Sequence, residues 1–276
     1  MFRVFSFGIL LSGVLAVFLM SSVSVNYAYA DERYASLVLD AESGVILHQE
    51  NAGKLRYPAS LTKMMTLYLV FDALERGKLT MNQKLPVSSR AASQSPSKLG
   101  LKQGQKVAVK DLVLGVIIKS ANDAAGVLAE AVAGSEKNFV DMMNQKAWNL
   151  GARDTHFANP HGLPSRGSQY TTAKDMALIF KEALKDPFFQ RAITFKYRIL
   201  YSKEGRRHFL KSHNKSLFLN WRYDVFGKTG YTQQAQSCFV GYVKRGNETF
   251  IVDVFGTRKR WDYLKWLIEH NARINL

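Results

Sequence analysis

The sequence predicts an α+β domain in which one antiparallel sheet is assembled from both ends of the chain and covered by helices, with a helical block between the two ends. Three observations carry this expectation. Strand patterns occur close to the start, around SLVLD and VILHQEN, and return from Ile193 onward. Between them lie several apolar helical patterns. The last two strand patterns, SCFVGYV and ETFIVDVF, are apolar on both faces, as central strands covered on both sides must be. Blocks of this kind, with no internal repeat and no low-complexity linker, fit layers of helix and sheet around one core and leave no stretch for a second domain.

In chain order, the first thirty residues carry one positive charge, Arg3, then an apolar run from Ile9 to Met20, then a polar stretch ending in Ala28-Tyr29-Ala30. This is the pattern of a secretory signal peptide with a small-x-small cleavage site. The run is shorter than the about 20 residues needed to span a bilayer. Cleavage after Ala30 is expected to leave residues 31–276 as the folded domain, periplasmic or secreted to the cell wall. Cys238 is the single cysteine, which excludes an internal disulfide and a cysteine-rich metal site, and no cysteine near the cleavage site invites a lipid. The net charge of +16 is spread along the chain. In an exported protein it points to an anionic wall polymer or membrane surface, and not to nucleic acid.

SLVLD and VILHQEN flank a turn at Ala41–Gly44 and read as a β-hairpin. A helix is expected from about Ser60 to Arg76, stopped by Gly77, and its middle, MMTLYLVF, is apolar on nearly every face, which places it inside the domain. Asp111 is expected to cap a second apolar helix that runs into Lys119-Ser120-Ala121-Asn122, after which another helix ends at Gly134. Ser135 to Leu150 reads as a further helix, stopped by Gly151, and a Gly- and Pro-containing loop leads to about Tyr170. Thr172 and Asp175 form a capping-box pattern for a helix to about Leu184. The strands from Ile193 and a closing helix, about Trp261 to Ala272, complete the chain.

Nucleophilic attack on an amide needs an activated hydroxyl, a base, a donor for the leaving amine and dipoles for the oxyanion. Ser60 and Lys63 stand at i and i+3 on one helix, so they share a face. Burial of Lys63 in this apolar helix lowers its pKa toward that of a base. Ser-x-x-Lys is expected about once by chance in such a chain. It occurs here at Ser60/Lys63, Ser95/Lys98 and Ser212/Lys215, but only the first opens a strong helix. Lys228-Thr229-Gly230 occurs once and offers, at a strand edge, a positive charge, a hydroxyl and close backbone approach. Ser120-Ala121-Asn122 adds a hydroxyl and an amide between two helices.

Taken in order, these three elements match the Ser-x-x-Lys, Ser-x-Asn and Lys-Thr-Gly signature of β-lactamases and penicillin-binding proteins. The chain resembles the low-molecular-mass penicillin-binding D-alanyl-D-alanine carboxypeptidases through PASLTKMMT, SKLGL, KSANDAA, NPHGLP, TTAKDMA and GKTGYT, from near Leu37 to the last helix. The resemblance implies a β-lactamase/transpeptidase-like fold and a serine peptidase that needs no metal or other cofactor. Peptidoglycan stem peptides are its implied substrates, and β-lactam antibiotics its covalent inhibitors. It implies that Ser60 attacks the penultimate D-alanine carbonyl, that Lys63 takes its proton, and that Ser120 relays a proton to the leaving D-alanine. Asn122 would hold the substrate backbone, Lys228 would support proton movement and substrate charge, and Thr229 with Thr232 would bind the terminal carboxylate, with Gly230 giving close approach. The oxyanion hole would be the N–H groups of Ser60 and Tyr231, and Arg258 in FGTRKR aligns with a carboxylate-contacting arginine.

Members with these motifs often continue into a C-terminal β-domain and an amphipathic membrane anchor, neither of which follows Leu276 in this sequence. Phe226 also stands before Gly227-Lys228 where a small or charged residue is expected. His156 and His161 have no HExxH or G-x-S-x-G companion and read as loop residues that order NPHGLP. A class A β-lactamase would need a deacylating glutamate, and the loop GARDTHFANPHGLPSRGSQY contains none. A D,D-endopeptidase that cuts cross-links and a non-catalytic wall-binding protein are the remaining alternatives.

Overall fold

The chain begins its described course with the expected hairpin: β1 (Ala35–Asp40) pairs antiparallel with β2 (Ile46–Glu50) across a turn in which Asp40 Oδ1 accepts from the backbone N–H of Glu42 and Ser43. The computed structural model describes residues 33–165, 167–201 and 207–272, so the expected signal peptide at 1–30 lies outside the described residues. A 3-10 turn, Ala59–Thr62, then leads into α1 (Lys63–Glu75). Short elements follow: β3 (Lys84–Pro86), α2 (Ser89–Ala92) and β4 (Lys106–Ala108). The helical block continues through α3 (Val109–Lys119), α4 (Asn122–Ala133), α5 (Glu136–Asn149), α6 (Ala173–Ala183) and α7 (Pro187–Ala192). The chain then returns to strands: β5 (Tyr197–Tyr201), β6 (Arg207–Lys211), β7 (Val225–Thr232), β8 (Gln236–Arg245) and β9 (Glu248–Thr257), before α8 (Arg260–Asn271).

The five-stranded sheet has the order β2-β1-β9-β8-β7 and is antiparallel throughout, so the N-terminal hairpin is joined edgewise to the C-terminal strands. Alternation along β9 decides which core each residue joins. Ile251 and Phe255 face the large core shared with α1, α3, α4 and α6, while Phe250, Val252 and Val254 face the smaller core under α8. Both central strands are covered on both sides, as their sequence demanded. α1 is buried around nearly its whole circumference.

Three local expectations need correction. Ser60 lies in the 3-10 turn, one element before the α-helix whose first turn it was expected to open. Ala59 takes a φ of +45°, a left-handed conformation that interrupts the helix upstream of Lys63. Asp111 sits inside the first turn of α3, where its charge meets the helix dipole, and the cap position belongs to Ala108. The strands ITFKYRILY and RRHFLKSH do not join the main sheet: β5 and β6 form their own two-stranded sheet, burying Leu200 and Leu210 on one face.

Candidate active site

The site lies where the 3-10 turn meets the outer edge of β7. Gly230 makes that approach possible: a Cβ there would stand 3.3 Å from the Ser60 nitrogen and from the Pro58 oxygen. Gly162 of NPHGLP is held more strictly. It has a φ of +82°, and a Cβ on it would fall 1.7 Å from the Ala59 oxygen. Two glycines thus bring one strand and one loop onto the backbone next to Ser60.

Lys63 is fully buried, and its amine meets three groups: Ser60 Oγ at 3.2 Å, Asn122 Oδ1 at 2.7 Å and the His161 carbonyl at 2.7 Å. Burial, and after it the positive charge of Lys228, holds the Lys63 pKa well below that of an ordinary lysine; Asp123 opposes them weakly. A neutral amine has two N–H donors and one lone pair. The two short bonds to carbonyl-type oxygens occupy the donors, which leaves the lone pair toward the Ser60 hydroxyl. The His161 carbonyl is positioned by a loop that Thr66 Oγ1 anchors to α1, through a 2.6 Å bond to the Pro160 carbonyl. The His161 ring is buried and its pKa is pushed down to about 3, mainly by that burial, so it is neutral and orders the loop.

Ser120 occupies the left-handed cap of α3, with φ of 57°, a position more usual for glycine. Lys228 donates to Ser120 Oγ at 2.7 Å and to the Thr229 carbonyl at 2.8 Å. Burial, followed by the nearby charge of Arg260, brings the Lys228 pKa down to about 7. Asn122 is clamped at its other end, where Nδ2 donates to the Ser95 carbonyl at 3.2 Å. The adjoining Asp123 carboxylate accepts from the N–H groups of Leu99, Gly100 and Leu101, which fixes the SKLGL segment beside Asn122.

The structure therefore brings Ser60, Lys63, Asn122, Ser120, Lys228, Thr229 and Gly230 into one seam. Tyr231 continues along β7 and is 64% exposed. Thr232 ends the strand with its Oγ1 accepting from the Ala235 N–H at 3.0 Å. Arg258 is exposed just after β9. Sequence reasoning passed over Arg260, two residues later, whose Nη1 donates to the carbonyls of Gly230 at 3.0 Å and Cys238 at 2.9 Å. It ties β7 to β8 and places a positive charge behind the Lys-Thr-Gly segment. Its pKa, lowered to about 10 by burial, leaves it charged at neutral pH. The run of three basic residues in TRKR was the only sign of it.

Fold and site together combine the β-lactamase-like arrangement of sheet and helices with a Ser-Lys pair at the edge of the sheet. The chain belongs to the peptidase S11 family, described as D-alanyl-D-alanine carboxypeptidase, whose pattern matches residues 25–259. It is similar to the D-alanyl-D-alanine carboxypeptidase DacF of Bacillus subtilis, 36% identical over 228 residues, which cover 82% of this chain and 58% of that protein. The chain thus spans little more than half the length of this relative. Among solved structures it resembles the D-alanyl-D-alanine carboxypeptidase DacD from Francisella tularensis, with a TM-score of 0.78 and 31% identity over 85% of this chain and 70% of the other. It also resembles the ampicillin-bound form of penicillin-binding protein D2 from Listeria monocytogenes, with a TM-score of 0.75 and 29% identity over 87% and 97% of the two chains.

Proposed function

We propose that this chain is a serine-type D-Ala-D-Ala carboxypeptidase that trims peptidoglycan stem peptides through an acyl-enzyme on Ser60. The observation that carries the reading is the buried Lys63 amine, held by Asn122 and the His161 carbonyl and turned toward Ser60 Oγ. In the first step Ser60 Oγ bonds to the carbonyl carbon of the penultimate D-alanine and its proton passes to Lys63 Nζ. The C–N bond then breaks, and the leaving nitrogen takes a proton through Ser120, which Lys228 contacts. Water attacks the ester in the second step, releasing the shortened peptide as a carboxylate and restoring the Ser60 hydroxyl.

Lys228, Thr229 and Thr232, backed by the charge of Arg260, are suited to a terminal carboxylate, and the N–H groups of Ser60 and Tyr231 to the oxyanion. A β-lactam presents the same carboxylate beside a strained amide and would acylate Ser60 in the same way. The loop from Gly151 to Tyr170 offers no glutamate to deacylate it. The apolar run Ile9–Met20 and the Ala28-Tyr29-Ala30 site support export to the wall compartment, where the +16 charge favours anionic wall or membrane surfaces.

The exposed Tyr231 beside the site would crowd a long, branched leaving group, which favours release of terminal D-alanine over cleavage of cross-links. Digestion of purified wall fragments tests this. Release of D-alanine from pentapeptides with cross-linked dimers intact is the expected result; rapid conversion of dimers to monomers with pentapeptides untouched would establish an endopeptidase instead.

A further inference from the structure

On the outer face of the two-stranded sheet, exposed apolar side chains touch one another. Leu200 and Leu210 are buried on the inner face of β5 and β6. Tyr197 pairs with Lys211 and Ile199 with Phe209, so these four share the other face, which is open to solvent. The Tyr197 ring stacks on Phe209 at 5.3 Å, and Phe218, at the end of the 3-10 turn Lys215–Phe218, meets Tyr197 edge-on at 5.4 Å. Phe209 is 59% exposed, Tyr197 46% and Ile199 43%. Single exposed apolar side chains are ordinary, but a contiguous group rimmed by polar residues marks a contact surface.

The charge around the group decides what it contacts. From Phe195 to Arg222 the sequence holds eight Lys or Arg and one acid, Glu204. Lys196, Arg198, Lys211, Lys215 and Arg222 are exposed. Lys211 Nζ lies 5.2 Å from the centre of the Phe218 ring, so cation and apolar tip stand side by side. A second copy of the chain in a two-fold contact would set this cationic rim against itself. A sugar polymer would leave the tips of Ile199 and Phe209 in water. An anionic lipid surface meets both features, because aromatic and aliphatic tips enter the boundary between headgroups and acyl chains while lysines and arginines meet the phosphates. We infer that the outer face of β5 and β6, with Phe218, docks the domain on a bilayer rich in anionic lipid. The face lies at the end of α3 that carries Ser120, since the His213 N–H donates to the Ile118 carbonyl at 3.3 Å.

Docking needs the export proposed above but no step of the peptidase reading, so vesicle binding and penicillin acylation are measured separately. The protein, purified as the cell processes it, is sedimented with phosphatidylcholine vesicles prepared with and without phosphatidylglycerol. It is compared with Ile199→Thr/Phe209→Thr, with Lys196→Gln/Lys211→Gln, and with Lys84→Gln/Lys106→Gln. The last pair removes the same charge from β3 and β4, at the opposite end of α3. The native protein should bind only the vesicles that contain phosphatidylglycerol. Partitioning should fall about 25-fold in the Lys196/Lys211 variant, as for two basic groups near an anionic surface, and about tenfold or more in the Ile199/Phe209 variant. It should change by no more than about twofold in the Lys84/Lys106 variant, whose charges lie beyond a Debye length from the docked face. All three variants should acylate with penicillin at the native rate. Absence of native binding, equal binding to phosphatidylcholine alone, or an equal loss in the Lys84/Lys106 variant overturns the docking face. If Ile199→Thr/Phe209→Thr fails to fold, the two lysine pairs decide. A solution dimer that the Ile199/Phe209 variant dissociates would assign the face to a second copy, and retention on purified wall that the same variants lose would assign it to wall polymer; either result overturns the proposal. A native protein that docks but takes up no penicillin would overturn the peptidase reading and leave the docking face standing.

Discussion

At the seam between α1 and β7, Lys63, Asn122, Ser120 and Lys228 are buried with hydrogen-bond partners at 2.7–3.2 Å, whereas Asp253, in the middle of β9, is buried with neither carboxyl oxygen partnered. Both regions take ionisable groups out of water, and in both burial pushes the pKa toward the neutral form. The consequences differ because of the neighbours. Around Lys63 the neighbours are fixed acceptors that orient a neutral amine, so the cost of burial yields a base aimed at a hydroxyl. Asp253 shares its face of the sheet with Ile251 and Phe255, and burial holds a protonated carboxyl there that lowers stability without aiming at anything.

The sharpest break of this contrast is at the nucleophile. Ser60→Ala removes one oxygen from the 3-10 turn and is expected to abolish penicillin labelling and D-alanine release with an unchanged melting temperature. Labelling at the native rate would move the nucleophile to Ser95 or Ser212. Lys63→Ala should lower the acylation rate by about 10²–10⁴-fold, the usual contribution of a positioned base, measured by stopped-flow with a fluorescent penicillin. Lys228→Ala should cost less, roughly 10–100-fold, because it removes charged hydrogen bonds and not the base.

The pH dependence sharpens the division of labour between the two lysines. If Lys63 is the base proposed above, it works when deprotonated, and kcat/KM falls as pH drops through its lowered pKa. If Lys228 holds the carboxylate as proposed, it does so when protonated, and kcat/KM falls again as pH rises through about 7. In Lys228→Ala the alkaline limb should vanish and the acid limb remain; a profile flat from acid to neutral in the native protein would count against Lys63 as base.

The smallest expected effect is at Asp253, where Asp253→Val should raise the melting temperature at neutral pH and much less at pH 4. The sign follows from linkage. The folded-state pKa is raised above the unfolded value, so the unfolded chain releases its proton first and stability falls as pH rises through that unfolded value. Equal stabilisation at both pH values would mean that packing alone is responsible.

Much of this architecture was legible because its signals are local. The alternating run of β1, the runs of β8 and β9 that are apolar on both faces, the capping box at Thr172 and the all-round apolar α1 each identify an element without knowledge of its neighbours. The Ser60–Lys63 spacing was legible too, since three residues along a 3-10 turn and an α-helix both put the pair on one side. What could not be read depends on contacts across the chain. The left-handed Ala59 is held against Gly162, more than a hundred residues away, and opens a 3-10 turn after which the α-helix starts at Lys63. The acceptor that completes the Lys63 amine is the backbone of His161, which no side-chain pattern can announce. Arg260 acts through the carbonyls of two different strands, and β5 and β6 carry ordinary strand patterns that do not say which sheet they join.

In the proposed mechanism Lys63 activates Ser60, and mass spectrometry of the penicillin adduct tests that activation. The protein is labelled with a penicillin near neutral pH, digested, and the modified peptide sequenced. A single penicilloyl group is expected on Ser60, present in the native protein, absent in Ser60→Ala and formed far more slowly in Lys63→Ala. An adduct on another serine, or one that forms on Ser60 at the native rate without Lys63, would contradict it.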